Sequence, residues 1–159
     1  MRIEKASGSD IEALVRLRLE YLREDLGPLS ERDRETISER LPAYFRAHLG
    51  RDLICYLLRE GGEAVSCAFL LLAEKPMSPA FINGRTGTVL NVYTRPSHRR
   101  RGFACALIRE LLADAERMEL CTVELKSTDA GVSVYRSAGF ADDDSGYRRM
   151  KWTNGKMQP

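Results

Sequence analysis

The chain has 159 residues, 43% of them apolar and 30% charged, with a formal net charge of +2. That length suits one ordinary domain with its own core, and the composition is that of a globular chain rather than a disordered or fibrous one. The charge is too small to imply a nucleic-acid partner. No run approaches the roughly 20 apolar residues of a membrane-spanning helix, and the charged start MRIEKASGSD lacks the apolar core of a secretory signal. The expectation is a soluble cytoplasmic protein with no membrane partner, a single domain over residues 1–153 and a short tail over 154–159.

The elements follow in chain order. Arg2 to Ala6 reads as a strand, and Ser9 or Asp10 caps a helix whose apolar positions Ile11, Leu14, Val15 and Leu22 keep helical spacing up to Gly27-Pro28. A second, highly charged helix from about Ser30 to His48 has one thin apolar stripe, Ile37, Leu41, Phe45 and Leu49. The period then changes. LICYLLREGGEAVSCAFLLLAEK holds two strand-like runs about Gly61-Gly62, a hairpin signal. A loop tipped by Asn83-Gly84 leads to the strand TVLNVYT, which Pro96 stops. A helix from about Arg101 to Met118, a strand CTVELKS, a short helix from Asp129 to Ala138 ending at Gly139, and a final strand YRRMKW complete the order. This order implies a mixed α/β sheet with a strand, crossover helix and parallel strand in its second half.

Four cysteines, Cys55, Cys67, Cys105 and Cys121, stand singly in apolar runs with no C-x-x-C pair. They read as reduced core residues, and with only two histidines no metal is expected.

The densest chemistry lies in RRRGFACAL, Arg99 to Leu107, between a strand end and a helix start. The first backbone N–H groups of a helix lack intrahelical partners and its dipole is positive there, so an anion is stabilised. Gly102 lets the backbone approach closely, small Ala104 keeps the next N–H accessible, and Arg99, Arg100 and Arg101 add positive charge. The pattern suits a pyrophosphate. It is not a nucleotide P-loop, and two of the three glycines of a dinucleotide fingerprint are missing. A basic first turn on a surface helix is the alternative.

Three segments in order, VLNVYTRP, RRRGFA and VYRSAGF, resemble the GNAT superfamily of acyl-CoA-dependent N-acyltransferases. The family's loop reads Arg/Gln-x-x-Gly-x-Gly/Ala and its later motif Leu-Tyr-x-x-x-Gly-Phe. The match covers about the C-terminal half of the chain; the N-terminal half fits in element order. The resemblance implies a central, mostly antiparallel sheet with helices on both faces and a parallel splay between its fourth and fifth strands. It implies acetyl-CoA as co-substrate without a metal, and acetyl transfer to a small-molecule or peptide amine by direct attack through a tetrahedral intermediate. A homodimer is also common among such proteins.

Residue by residue, the resemblance implies that the backbone of Val92, Tyr93 and Thr94 pairs with the pantetheine arm and that the Val92 N–H stabilises the oxyanion. The residues Arg99, Arg100, Arg101, Gly102, Phe103 and Ala104 form the pyrophosphate loop. Tyr135 matches the tyrosine that protonates the departing thiolate; packing against the neighbouring strand is the alternative. Tyr93 is equally a packed strand aromatic or a wall of the substrate pocket, and Asp129 a helix cap or a cofactor contact. Many relatives carry a carboxylate near Asn91, but an amide cannot take a proton, so Asn91 is expected to hydrogen-bond or orient water. His98 sits in the phosphate loop and is not expected to be catalytic. The acidic residues of the first two helices, Glu20 to Glu39, suit either a cationic acceptor or a solvated helix face. Two further readings stand beside the enzyme: a non-catalytic CoA-binding sensor on the same fold, and a nucleic-acid binder using the arginine cluster.

Overall fold

The computed structural model describes residues 2–148 and 150–155. Five strands form one sheet in sequence order: β1 (Arg2–Lys5), β2 (Leu53–Glu60), β3 (Glu63–Glu74), β4 (Arg85–Thr94) and β5 (Thr122–Glu124). Neighbours are antiparallel except β4 and β5, which run parallel. The helices are α1 (Ile11–Leu26), α2 (Glu31–His48), α3 (Phe103–Arg117) and α4 (Val132–Ser137). A mixed sheet with a parallel pair joined by α3 is the architecture expected.

The unbroken apolar runs of β2 and β3 have a simple cause: both sheet faces are covered. Side chains alternate across the pleat. Cys55, Leu57, Cys67 and Phe69 pack with Leu14 and Leu17 of α1 and Phe45 of α2. Tyr56, Leu58, Ala68 and Leu70 pack on the other face with Phe103, Leu107, Ile108 and Leu111 of α3. Phe45 is the one fully buried side chain of α2, in keeping with its thin stripe. Ser30 caps α2, its hydroxyl accepting the Asp33 N–H at 3.0 Å.

A buried charge anchors the α3 layer. Asp114 is 3% exposed; it accepts the Tyr56 hydroxyl at 2.7 Å and meets Lys5 Nζ at 2.7 Å and Arg117 Nη2 at 2.5 Å. Burial pushes its carboxyl up, but these bonds outweigh burial and hold it below the ordinary carboxylate range.

Two features of β4 open the sheet. β5 pairs with β4 only over Thr86 to Thr88, so from Val89 onward β4 has a strand on its β3 side alone. A register shift opposite Cys67 and Phe69 then marks a bulge, where Asn91 adopts a left-handed φ of 50°.

The expected final strand YRRMKW is not formed among the described residues. Tyr147, Arg148 and Met150 to Trp152 carry no strand pairing, and Tyr147, Met150 and Trp152 are 89%, 95% and 83% exposed. Arg149 and the tail from Lys156 to Pro159 lie outside the described residues. Strand-forming side chains without a neighbouring strand or a buried face gain nothing from extending. The segment CTVELKS is likewise shortened to Thr122–Glu124 because the sheet splays there. The cysteines also divide: Cys55 and Cys67 are buried core residues, whereas Cys105 and Cys121 are only half-buried, and all four are free.

Candidate functional site

A cleft of about 580 Å³ opens where β4 runs into α3. Val92, Tyr93 and Thr94 supply one wall and the loop from His98 to Arg100 another, with Gly102, Phe103, Ala104 and Cys105 at the head of α3. Tyr21, Glu24 and Asp25 of α1 close the third side, and Thr128 and Val134 reach in from the segment that leads to α4.

The head of α3 has the form of an anion site. Gly102 sits at a left-handed φ of 77° just before the helix, and Arg100 has a φ of 59°. The first backbone bond into this helix start runs from the Ala106 N–H to the Gly102 carbonyl at 2.9 Å. The N–H groups of residues 100–105 have no backbone acceptor among the described residues. Six donors thus lie along a curled backbone at the positive end of a 15-residue helix. A Cβ built on Gly102 meets no protein atom within 4 Å. Its glycine is therefore set by backbone conformation and by the open cleft, not by protein crowding.

The arginines are less free than their sequence suggests. Arg99 is bound to both carboxylate oxygens of Glu24, one at 2.6 Å, and its Nε donates to the Thr94 carbonyl at 2.9 Å. Arg101 turns away from the cleft: it forms a two-point pair with Glu60 and lies 4.7 Å from the Phe103 ring centroid. Its bond holds the Glu60 carboxyl below the ordinary range. Arg100 makes no ion pair among the described residues. Positive charge at the loop is thus largely matched by Glu24 and Glu60.

Tyr93 is 7% exposed and packs in the core, its ring edge-on to Tyr21 with centroids 6.4 Å apart. It packs in the core and also lines the cleft. Asn91 lies 5% exposed beside the cleft rather than in its lining. Its Oδ1 accepts from Arg18 Nη1 at 2.9 Å and its Nδ2 donates to Cys67 Sγ at 3.3 Å. Tyr135 is half-buried next to Val134, edge-on to Phe140 with centroids 6.0 Å apart. Its ring sits close over Gly131, where a Cβ would meet Tyr135 Cε2 at 3.1 Å. Burial raises its pKa, with Tyr21 adding to the effect. Asp129 is exposed in a single 3-10 turn, where its backbone carbonyl accepts the Val132 N–H; its neighbour Thr128 is the residue that lines the cleft.

Glu24 and Asp25 belong to the acidic stretch that suits either a cationic acceptor or a solvated face, whereas Tyr21 carries no sequence signal as a site residue. Tyr21, Glu24 and Asp25 stand three and four apart, one helix face, but nothing in their spacing names the strand they face. The Tyr21 hydroxyl donates to Asp25 Oδ2 at 3.3 Å. Arg95, just past β4, pairs with Glu20 through Nε and Nη2, both at 2.9 Å, and with Glu63, so the acidic face of α1 is tied to the β4 end.

A family model for the acetyltransferase (GNAT) family matches residues 12–140. A crystal structure of a predicted acetyltransferase with acetyl-CoA from Clostridium acetobutylicum is 26% identical, with a TM-score of 0.81 over 94% of this chain and 95% of that one. A ribosomal-protein-alanine N-acetyltransferase from Brucella melitensis is 21% identical, with a TM-score of 0.68 over 95% and 100%. Glucosamine-6-phosphate N-acetyltransferase from Arabidopsis thaliana is 16% identical, with a TM-score of 0.70 over 96% and 98%. The last two share the fold. No curated protein matches the chain in sequence. The sheet opened at β4, the unpaired N–H groups at the head of α3 and the family match over most of the chain agree, and the chain belongs to the GNAT family of acetyltransferases.

Proposed function

We propose that the protein transfers an acetyl group from acetyl-CoA to an amine acceptor. The observation that carries this reading is the continuous path from the open edge of β4 to the unpaired N–H groups ahead of α3. An extended amide-bearing arm finds strand-like pairing on that edge, and a pyrophosphate finds converging N–H donors at its end. The donor set fits the co-substrate: amide pairing for the arm, backbone N–H groups for the phosphates.

Each residue then has a task. The backbone of Val92, Tyr93 and Thr94 orients the arm, and the Val92 N–H donates to the oxyanion that develops at the thioester carbonyl during attack through a tetrahedral intermediate. Gly102, Phe103 and Ala104 hold the pyrophosphate through their N–H groups, Arg100 adds charge at the rim, and Arg99 braces the loop through Thr94 and Glu24. Arg101 acts through Glu60, by fixing the loop. Tyr135 supplies a proton to the departing thiolate. Its raised pKa keeps the phenol protonated at neutral pH, and help of about 10² is reasonable for a thiol whose own pKa is near ~8.5.

The acceptor must arrive as a free amine, which costs about 4.6 kcal/mol at pH 7 for a pKa near ~10.4. Asn91 cannot take that proton, and both ends of its amide are engaged. It positions rather than reacts. The lack of a carboxylate at this place is also the observation that favours the second reading, a protein that binds acyl-CoA without turnover. Thiol release from acetyl-CoA across a panel of primary amines separates the two. Amine-dependent release lost in Tyr135→Phe supports transfer; acetyl-CoA binding with no release above buffer for any amine supports the sensor.

A further inference from the structure

Four arginines of the described residues are partly buried: Arg18, Arg59, Arg85 and Arg95. Arg59 pairs with Glu4 at 2.5 Å and with Asp10, Arg85 with Glu119 at 3.9 Å, and Arg95 with Glu20 and Glu63. Arg18 alone among them has no carboxylate within 4.0 Å. Its Nη1 donates to Asn91 Oδ1 at 2.9 Å, and its Cζ lies 5.4 Å from the Tyr21 ring centroid. A guanidinium carries five N–H donors, so most of its hydrogen-bonding capacity is unspent. Arg18 is only partly buried, so water reaches part of it, but its charge meets no carboxylate of the protein and its remaining donors are free to take an anion.

The holder of this cation is itself fixed. Asn91 Nδ2 donates to buried Cys67 Sγ at 3.3 Å, and the Cys67 thiol donates back to the Asn91 carbonyl at 3.6 Å. Burial raises the Cys67 thiol to about 12, so it is a neutral partner. An aspartate at position 91 would fit the same space and would cancel the Arg18 charge. The amide orients the guanidinium and leaves its charge available.

Location supplies the rest. Arg18 and Asn91 lie just outside the cleft lining, but each adjoins it: Asn91 immediately precedes Val92, and α1 carries Tyr21, Glu24 and Asp25 into the cleft one and two turns beyond Arg18. We infer that Arg18 binds a carboxylate on the acceptor, so that the amine substrate is of the amino-acid type, carrying an amine and a carboxylate in one small molecule. This rests on the proposed acetyl transfer. A single guanidinium matches a carboxylate in charge and in its two-point geometry, whereas a phosphate dianion would keep one charge uncompensated. Asn91 is the positioning residue for this contact.

The test uses the whole chain saturated with acetyl-CoA. Initial rates of thiol release are measured for the L-amino acids, β-alanine, 4-aminobutyrate and O-phosphoethanolamine, and for the carboxamide of each carboxylate, with calorimetric titration of the same compounds into the CoA-bound protein. At least one amino carboxylate should exceed its carboxamide by about tenfold or more in kcat/KM or affinity, chiefly through KM. Arg18→Gln and the isosteric Asn91→Asp should each abolish that preference while the acetyl-CoA-induced thermal shift persists. The idea is overturned if no carboxylate outdoes its carboxamide, if O-phosphoethanolamine is the preferred compound, or if the preference survives in Arg18→Gln. Loss of acetyl-CoA binding by the wild-type chain would instead defeat the acetyl-transfer reading beneath it.

Discussion

Replacing Gly102 by alanine separates the two reasons for a glycine there. At a φ of 77° a Cβ is strained, at a cost of roughly 1–2 kcal/mol. For a chain of this length that lowers the melting temperature by roughly 2–8 °C. No protein atom lies within 4 Å of the added methyl, so nothing further is lost in the free protein. The methyl does enter the space assigned to the pyrophosphate. Losing one charge-assisted bond to the loop costs about 1.5–3 kcal/mol, or roughly 10- to 150-fold in affinity. Gly61, in the β2–β3 turn, is the control: its φ is 60° and its Cβ also meets open space. Gly61→Ala should melt earlier by a similar amount and bind acetyl-CoA as the wild type does. Thermal melts with calorimetric titration of acetyl-CoA read both quantities. If Gly102→Ala binds within about twofold of wild type, or Gly61→Ala weakens binding as much, the anion-cradle reasoning is wrong.

Three further expectations can be checked directly. Tyr135→Phe should lower kcat by about 10² while leaving the acetyl-CoA thermal shift intact; because burial raises the Tyr135 pKa, wild-type kcat should not fall on the alkaline side until above about pH 10. Tyr56→Phe removes the buried hydroxyl that donates to Asp114 at 2.7 Å, and urea titration should show a loss of about 1–3 kcal/mol. The native pKa of Asp114 is depressed, so its contribution to stability is complete above the unfolded value of about 3.9 and disappears as pH falls through the native value. Acid melts of Asp114→Asn should lack that portion of the wild-type decline below about pH 4.

What could be read from the sequence was local. The helical spacing of α3, the glycine ahead of it and the Pro96 stop after β4 are contained in short windows, and the head of α3 stands where RRRGFA placed it. The unbroken apolar runs of β2 and β3 read as the two strands of a hairpin; that both faces are covered shows only in the packing of α1, α2 and α3. What escaped was contact between distant segments. Arg99 meets Glu24 across 75 residues and Arg101 meets Glu60 across 41, so the loop that reads as strongly basic is largely neutralised. Arg18 and Asn91 are 73 apart, and each alone reads as an ordinary polar residue. The YRRMKW segment failed in the opposite way: its residue types favour a strand, but its described residues do not pair with the free outer edge of β5, and local propensity does not decide such pairing.

The central claim is most directly tested by a thermal melt of the wild-type chain with and without acetyl-CoA. At 100 times its Kd a ligand stabilises the native state by about 2.7 kcal/mol, and for a chain of this length the midpoint should rise by roughly 5–10 °C. A rise of that size that is lost in Gly102→Glu is the predicted result. An unchanged midpoint at saturating acetyl-CoA would contradict the account.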